Sequence, residues 1–349
     1  MEFVREDLLA TLKLVAPALN DKQPMMPVMS HLCFNGKHVV AYDGVVALQA
    51  PCNLDFTGAL PGTLLLSMLG ASAVKLVFIE VAESEVVVKL GRAKLKLASL
   101  PEADFVFTPP YYRKGSTRLV LGENLLGAFA LVARSAGVSD DVSRSGITMA
   151  FDNKGVTLYA TDDKTLVRCR VDLGGILLPG ATAIIIPERF YSLMLKLEPK
   201  ELVITETGDL VALSLGSNPI LFGRVQQGAN TDQYEGVFGS AHWQDTSKTL
   251  MGEFLPRCLE RAQLVNKELV TLAYTPGRLG VSSTGLGGEL SDSCKLDFGE
   301  DSFEVVTCPE CILRFADTLK HIGIGDRGIM LEGTDFCVLV AVQQKGRMA

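Results

Sequence analysis

Cys308-Pro309-Glu310-Cys311 is the group of residues in this chain best suited to chemistry. Two thiols at this spacing, at the start of a helix, suit thiol-disulfide exchange, because a helix N-terminus stabilises the thiolate. The same pair is half a zinc site, but no second Cys-x-x-Cys and no paired histidines follow it. His31, His38, His242 and His321 are scattered, and none falls in a motif with a Ser or Cys nucleophile. Thr284-Gly285-Leu286-Gly287-Gly288-Glu289 is glycine-rich, yet no strand, loop and helix with a phosphate-holding Lys follows it, so it reads as a hairpin loop. These residues imply no metal, nucleotide, cofactor or catalytic site. The chain is read as a non-enzyme, with thiol-redox work at Cys308 and Cys311 as the weak alternative.

The elements around the thiols give a plainer account of them. CPECILRFADTLKH (308–321) has two counterparts, LPGTLLLSMLGA (60–71) and IPERFYSLMLKL (186–197), each opening on a proline. Proline suits the first helical position, where its missing N–H costs nothing. Cys308 then fills the apolar slot held by Leu60 and Ile186 in the other copies. A second set of helices repeats as well: DLLATLKLVAPAL (7–19), NLLGAFALVARSAG (124–137) and EFLPRCLERAQLV (253–265). Leu8, Leu9, Leu12 and Ala16 align with Leu125, Leu126, Phe129 and Ala133, and with Phe254, Leu255, Cys258 and Ala262, one helical stripe written three times.

Alternating strands fill the spaces between. Asn35-Gly36, Asp152-Asn153-Lys154-Gly155 and Thr275-Pro276-Gly277 mark hairpin turns after the first helices, and further strands follow the second ones. Each unit reads as about αβββαβββ. Two helices on one face of an antiparallel sheet make an α+β layer. The predicted domains are 1–112, 117–240 and 246–349, with linkers at Thr108–Thr117 and Gly239–Lys248. Sheets set side by side leave exposed edges unless the array closes.

Composition bounds the rest. The chain has 349 residues, 48% hydrophobic and 21% charged, enough for two or three cores. No apolar run is long enough to span a bilayer as a helix. The N-terminus is acidic and amphipathic, unlike a signal peptide, which makes a cytoplasmic location the default. The eight cysteines, mostly inside apolar patterns, read as free thiols. A net charge of −7 argues on average against nucleic acid, but an acidic exterior can coexist with one basic surface.

Three stretches carry a resemblance: GRAKLKLASLPEADF (91–105), GITMAFDNKGVTLYATDDKTL (146–166) and AIIIPERFYSLMLKL (183–197). They resemble the bacterial DNA sliding clamp, the beta subunit of the DNA polymerase III holoenzyme, and the likeness in element order runs from Met1 to about Lys345. The drift from the family motifs fits a divergent member, a phage-encoded one included. The resemblance implies three clamp domains per chain, closed by a head-to-tail homodimer into a ring around duplex DNA. It implies a processivity factor that tethers a replicative polymerase, with a clamp loader as a further partner, and no membrane. A repeat-built interaction scaffold that no longer encircles DNA is the competing reading.

By the resemblance, Lys22 and Lys196 sit at positions that face DNA. Pattern alone puts Arg134, Lys200, Arg257, Arg261, Arg314 and Lys320 on similar helical surfaces, with acidic residues concentrated in strands and turns. Such contacts hold the phosphate backbone without reading sequence. The family's dimer interface implies Phe105 and Phe107 meeting Leu264 and Val265 of a second copy. Its partner-peptide pocket maps onto Arg144, Thr161, Asp163, Lys164, Thr165, Leu166, Val237, Val340, Ala341, Val342 and Gln343. Here the chain departs from the pattern: Gly-His-Arg-Leu has become Asp163-Lys164-Thr165-Leu166, Phe-Pro-Asp-Tyr has become Thr231-Asp232-Gln233-Tyr234, and the apolar ending has become Ala341-Val342-Gln343-Gln344-Lys345. An altered cognate peptide, or weak use of the pocket, is the expectation.

Overall fold

The computed structural model describes residues 1–20, 26–82, 85–105, 107, 117–137, 145–173, 183–204, 210–214, 220–224, 226–227, 229, 231–240, 249–250, 254–297, 299, 302–324 and 328–344. Its first repeat runs β1 (Glu2–Val4), α1 (Arg5–Val15), β2 (His31–Asn35), β3 (His38–Tyr42), β4 (Val46–Pro51), β5 (Thr57–Pro61), α2 (Gly62–Ala71), β6 (Leu76–Val81), β7 (Glu85–Leu90) and β8 (Ala93–Ala98). The second runs β9 (Thr117–Val120), α3 (Glu123–Val132), β10 (Ile147–Phe151), β11 (Gly155–Thr161), β12 (Thr165–Asp172), β13 (Ala183–Ile186), α4 (Glu188–Leu197), β14 (Glu201–Ile204), β15 (Leu210–Ser214) and β16 (Ile220–Arg224). After helix α5 (Thr231–Ser240), the third runs β17 (Thr249–Leu250), α6 (Phe254–Val265), β18 (Val270–Thr275), β19 (Arg278–Gly285), β20 (Gly288–Cys294), β21 (Phe303–Thr307), α7 (Pro309–Leu313), β22 (His321–Ile324), β23 (Gly328–Glu332) and β24 (Phe336–Ala341).

The half-unit is therefore βαβββ, not αβββ, because a short strand leads each helix. Each leading strand pairs with the first strand of the other half: β1 with β6 and β5 with β2, then β9 with β14 and β13 with β10, then β17 with β22 and β21 with β18. The exchange stitches the two halves of each repeat together. These leading strands are short, and the sequence reading assigns no strand to them, taking only Leu60–Pro61 of β5 and Ile186 of β13 into the helices.

The chain folds as two compact units. One holds Met1–Leu126 and Arg189–Gln227; the other holds Gly127–Leu177, Ala181–Glu188 and Gly228–Ala349. In the first, one sheet runs β1-β6-β7-β8 and another β5-β2-β3-β4-β16-β15-β14-β9. In the second, one sheet carries the run β13-β10-β11-β12-β24-β23-β22-β17, and another runs β20-β19-β18-β21, with Gln343–Gln344 added to β21. The middle repeat is thus shared: apart from the exchanged leading strands β9 and β13, most of its second half belongs with repeat one and most of its first half with repeat three.

The buried helix stripes follow the predicted spacing, with departures in each copy: in α3, Leu125 and Phe129 are buried but Leu126 is half-buried, as is Ala133 just beyond it. In α1, Leu8, Leu9, Leu12 and Val15 are buried, so Val15 rather than Ala16 closes the stripe. In α6, Leu255, Cys258, Leu259 and Ala262 are buried, while Phe254 is exposed. Gly223 lets α4 lie close on its sheet: a Cβ there would stand 2.2 Å from the Phe190 ring. The third second-position helix is shorter than its apolar run suggested. It ends at Leu313, and Phe315, Ala316 and Thr318 donate to carbonyls three residues back, which tightens the chain into turns. Gly239, expected in a linker, lies in α5; 108–116 and 241–248 fall outside the described residues.

Candidate functional site

The hairpin turn between β11 and β12 carries the site, and Asp162 organises it. Asp162 Oδ1 accepts from the amides of Lys164 (3.2 Å) and Thr165 (2.7 Å) and from Thr165 Oγ1 (2.7 Å). Its Oδ2 accepts from Arg314 Nη1 at 2.6 Å. Burial alone would raise this carboxyl, but Thr165 and Arg314 outweigh it and hold Asp162 below the usual carboxylate range. Asp163 has φ +66, the left-handed region, which Asp tolerates better than most residues. That explains how Asp stands where the family motif has Gly.

A second layer holds Arg314 itself. Arg314 Nη1 also donates to the Arg134 carbonyl (2.8 Å), while Arg134 Nη1 donates to the Arg314 carbonyl (2.9 Å) and to Asp317 Oδ1 (2.7 Å). Asp317 is held below its ordinary value, first by the Arg134 hydrogen bond. Arg134 and Arg314, both expected to face DNA, are thus turned to protein partners. An arginine fork satisfied by a carboxylate and a carbonyl is a joint, not a free cation.

Helix α5 covers one face of the sheet beside this turn. Phe238 packs with Leu166 and Leu339, and Tyr234 and Cys337 join them. Tyr234 stacks on Tyr159 with centroids 5.3 Å apart, and the Arg168 guanidinium lies 4.5 Å from the Phe238 ring centroid. Glu235 accepts from Tyr159 Oη and Arg168 Nη1, each at 2.6 Å. Burial, then Glu235, pushes the Tyr159 phenol well above its ordinary value. Towards the Asp152 end of the same face opens a groove of about 820 Å³, lined by Phe151, Tyr159, Arg168, Glu235 and Phe336 among others.

The remaining predicted residues scatter more. Thr161, Asp163, Lys164, Thr165 and Leu166 do share the turn, but Thr165 and Leu166 are buried. Val237 is 43% exposed on α5. Val340 is buried, Ala341 exposed and Val342 half-buried, and Gln343 pairs its backbone with Val306. Lys22 and Arg144 lie outside the described residues. Lys196, Lys200, Arg257, Arg261 and Lys320 are exposed, and Arg261 is paired with Asp292 at 2.5 Å. The helices are not cleared of acids: Glu6, Asp7, Glu123, Glu188, Glu260 and Glu310 are exposed on them. Phe105 and Phe107 are committed within one unit, since Phe107 stacks on Tyr42 (5.2 Å) and meets Phe222 (5.6 Å) over the β4–β16 seam. Leu264 is 85% exposed and Val265 half-buried.

Sequence reasoning missed α5, although Tyr234, Val237 and Phe238 stand at i, i+3, i+4. It also missed Asp162, whose Asp-x-x-Thr spacing is an Asx-turn signal. Burial pushes Cys311 up to about 12, and Cys308 and Asp162 add to it, the reverse of an activated thiolate. All eight cysteines are free thiols. Among the described residues no His, Cys, Asp or Glu group could hold a metal ion, and no helix is long and apolar enough to cross a membrane.

No family model matches the chain, and no curated protein is similar to it by sequence. Solved structures do match over full length. The Helicobacter pylori beta clamp bound to a DNA ligase peptide superposes with a TM-score of 0.82 at 17% identity, covering 99% of this chain and 100% of that one. The DNA polymerase III subunit beta of Pseudomonas aeruginosa gives 0.80 at 18%, again covering 99% and 100%. A putative DNA polymerase III beta subunit from Eubacterium rectale gives 0.83 at 14%, covering 98% of each chain. A likeness this complete, at identities this low, lies in backbone architecture: the chain has the fold of the bacterial DNA polymerase III beta sliding clamps.

Proposed function

We propose that this chain is a DNA polymerase processivity factor: two copies join head to tail into a ring that encircles duplex DNA and carries partners by short peptides. The observation that supports this best is a rule of strand pairing. The last strand of a repeat's first half pairs with the last strand of the next repeat's second half: β4 with β16, then β12 with β24. The rule leaves two strands over, β20 of repeat three and β8 of repeat one. Both are sheet edges among the described residues. An unpaired edge is a template for another chain. If the rule continues, β20 of one copy takes β8 of the next, and two copies use up both of these edges. Charge agrees in part: Lys94 and Lys96 are exposed on β8 and Glu289 is exposed on β20, while Asp292 of β20 is taken up by Arg261.

Lys196, Lys200, Arg257 and Lys320 are the candidates for phosphate contact, and the Thr161–Leu166 turn with Val237 and Ala341 is the candidate peptide site. With few net cations on the helices, the hold on DNA comes from being threaded. The test is retention on nicked circular DNA after loading, and release when the circle is cut. Equal retention on linear DNA, or none on circles from a confirmed dimer, would favour the scaffold reading instead.

A further inference from the structure

The Asp162–Arg314 contact has a twin. In repeat one, the turn between β3 and β4 is built the same way: Asp43 Oδ1 accepts from the amides of Val45 (3.0 Å) and Val46 (2.9 Å). Its Oδ2 accepts from Arg189 Nε at 2.8 Å, and Arg189 Nη2 donates to the Pro17 carbonyl just after α1. Arg314 likewise binds Asp162 Oδ2 and the Arg134 carbonyl just after α3. In both cases the arginine comes from the second helical segment of the following repeat, and the aspartate from the turn before the strand that forms the seam.

We propose that Arg189 and Arg314 are two copies of one joint lock, each fastening a repeat to the next, and that Arg314 thereby also fixes the Thr161–Leu166 turn in the shape it presents to a partner peptide. The second half of this rests on the peptide-site reading above; the first does not. A third turn separates an ordinary hairpin bond from a lock. Asp152 Oδ1 accepts from Lys154 (2.7 Å) and Gly155 (2.9 Å), but its Oδ2 takes Arg170 (2.7 Å) from its own hairpin. That pair is 47% and 45% exposed, against 25% and 19% for Arg314 and Asp162; in the Arg189–Asp43 pair the arginine is 46% exposed and only the aspartate, at 10%, is sheltered. Screening makes the Asp152 pair weak and leaves the Asp162 pair strong. The corresponding places at the free edges carry no lock. The turn between β19 and β20 is Gly285-Leu286-Gly287, and α2 has no charged residue. A joint with a second copy has no residues for it.

The experiment compares Arg314→Gln and Arg189→Gln with the native chain by amide hydrogen exchange, and by titration with the DNA ligase peptide carried by the Helicobacter pylori clamp. Loss of one charge-assisted lock is expected to speed exchange about tenfold or more at Thr165 in Arg314→Gln and at Val46 in Arg189→Gln. Lys154 and Gly155 should stay unchanged in both. Peptide affinity should fall at least about fivefold in Arg314→Gln only, and the dimer constant should move in neither. Unchanged exchange at Thr165 overturns the lock, and an equal peptide loss in Arg189→Gln overturns the positioning role. A native chain that binds no peptide overturns the peptide-site reading, and exchange then decides the lock alone. Should a glutamine variant fail to fold, Arg314→Lys and Arg189→Lys keep the charge but lose the fork, and should show the same pattern at reduced size.

Discussion

Asp163 shows how a residue that breaks a motif can keep its geometry. Its φ of +66 is a conformation that Gly adopts at no steric cost, and Gly is the residue of the motif it departs from. Asp163→Ala is therefore expected to cost about 1 kcal/mol in urea unfolding, while Asp163→Gly stays within about 0.5 kcal/mol of native. Asp162 adds a pH dependence with a definite sign. Its folded pKa lies below the ordinary Asp value, so its contribution is complete above that ordinary value and is lost as pH falls through the depressed one. Asp162→Asn should be the less stable protein at neutral pH, with a shallower loss of stability through the acid range. Urea midpoints across that range check it, and parallel slopes would refute it. The lone Cys-x-x-Cys shows the opposite lesson, for a motif present in sequence is here a buried thiol and a half-buried one at a short helix start.

Helix α5 is the element that sequence patterning passed over. Its apolar residues are few, and Tyr234 and Phe238 make sense only against Tyr159, Leu166 and Leu339, which are distant in the chain. Phe238→Ala should cost about 3 kcal/mol, the usual range for emptying an aromatic from a core. The first and second helices were legible because their stripes recur three times, and the hairpins because their turn residues are explicit. The leading strands were not legible. Two to five residues, too short to show a period, are defined by the partner strand in the other half-unit.

For the whole molecule, the pairing rule predicts a dimer with a specific charge pattern. Lys94→Glu with Lys96→Glu is expected to weaken dimerisation by about 1 kcal/mol, and Glu289→Lys added on the same chain should restore part of it. Light scattering across a dilution series checks both, and a native chain that is monomeric at every concentration would sink the edge-pairing reading. Among the described helices, exposed acids accompany the exposed Lys196, Lys200, Arg257 and Lys320. Threaded DNA should accordingly be retained with a shallow salt dependence, equivalent to about four phosphate contacts or fewer per chain.

The sequence alone determined the triplication, the helix stripes, the hairpin turns and the α+β class, because each of these is a local pattern of apolar spacing or turn chemistry. Only the tertiary structure decided how the repeats are joined. Which strand meets which, why Phe105 and Phe107 cover a seam, and why Arg134 and Arg314 bind protein all depend on partners far away in the chain. An arginine on a helix reads alike whether it faces solvent or reaches a carboxylate 152 residues away. Local spacing carries no record of that distance, and the difference between a surface charge and a lock lies entirely there.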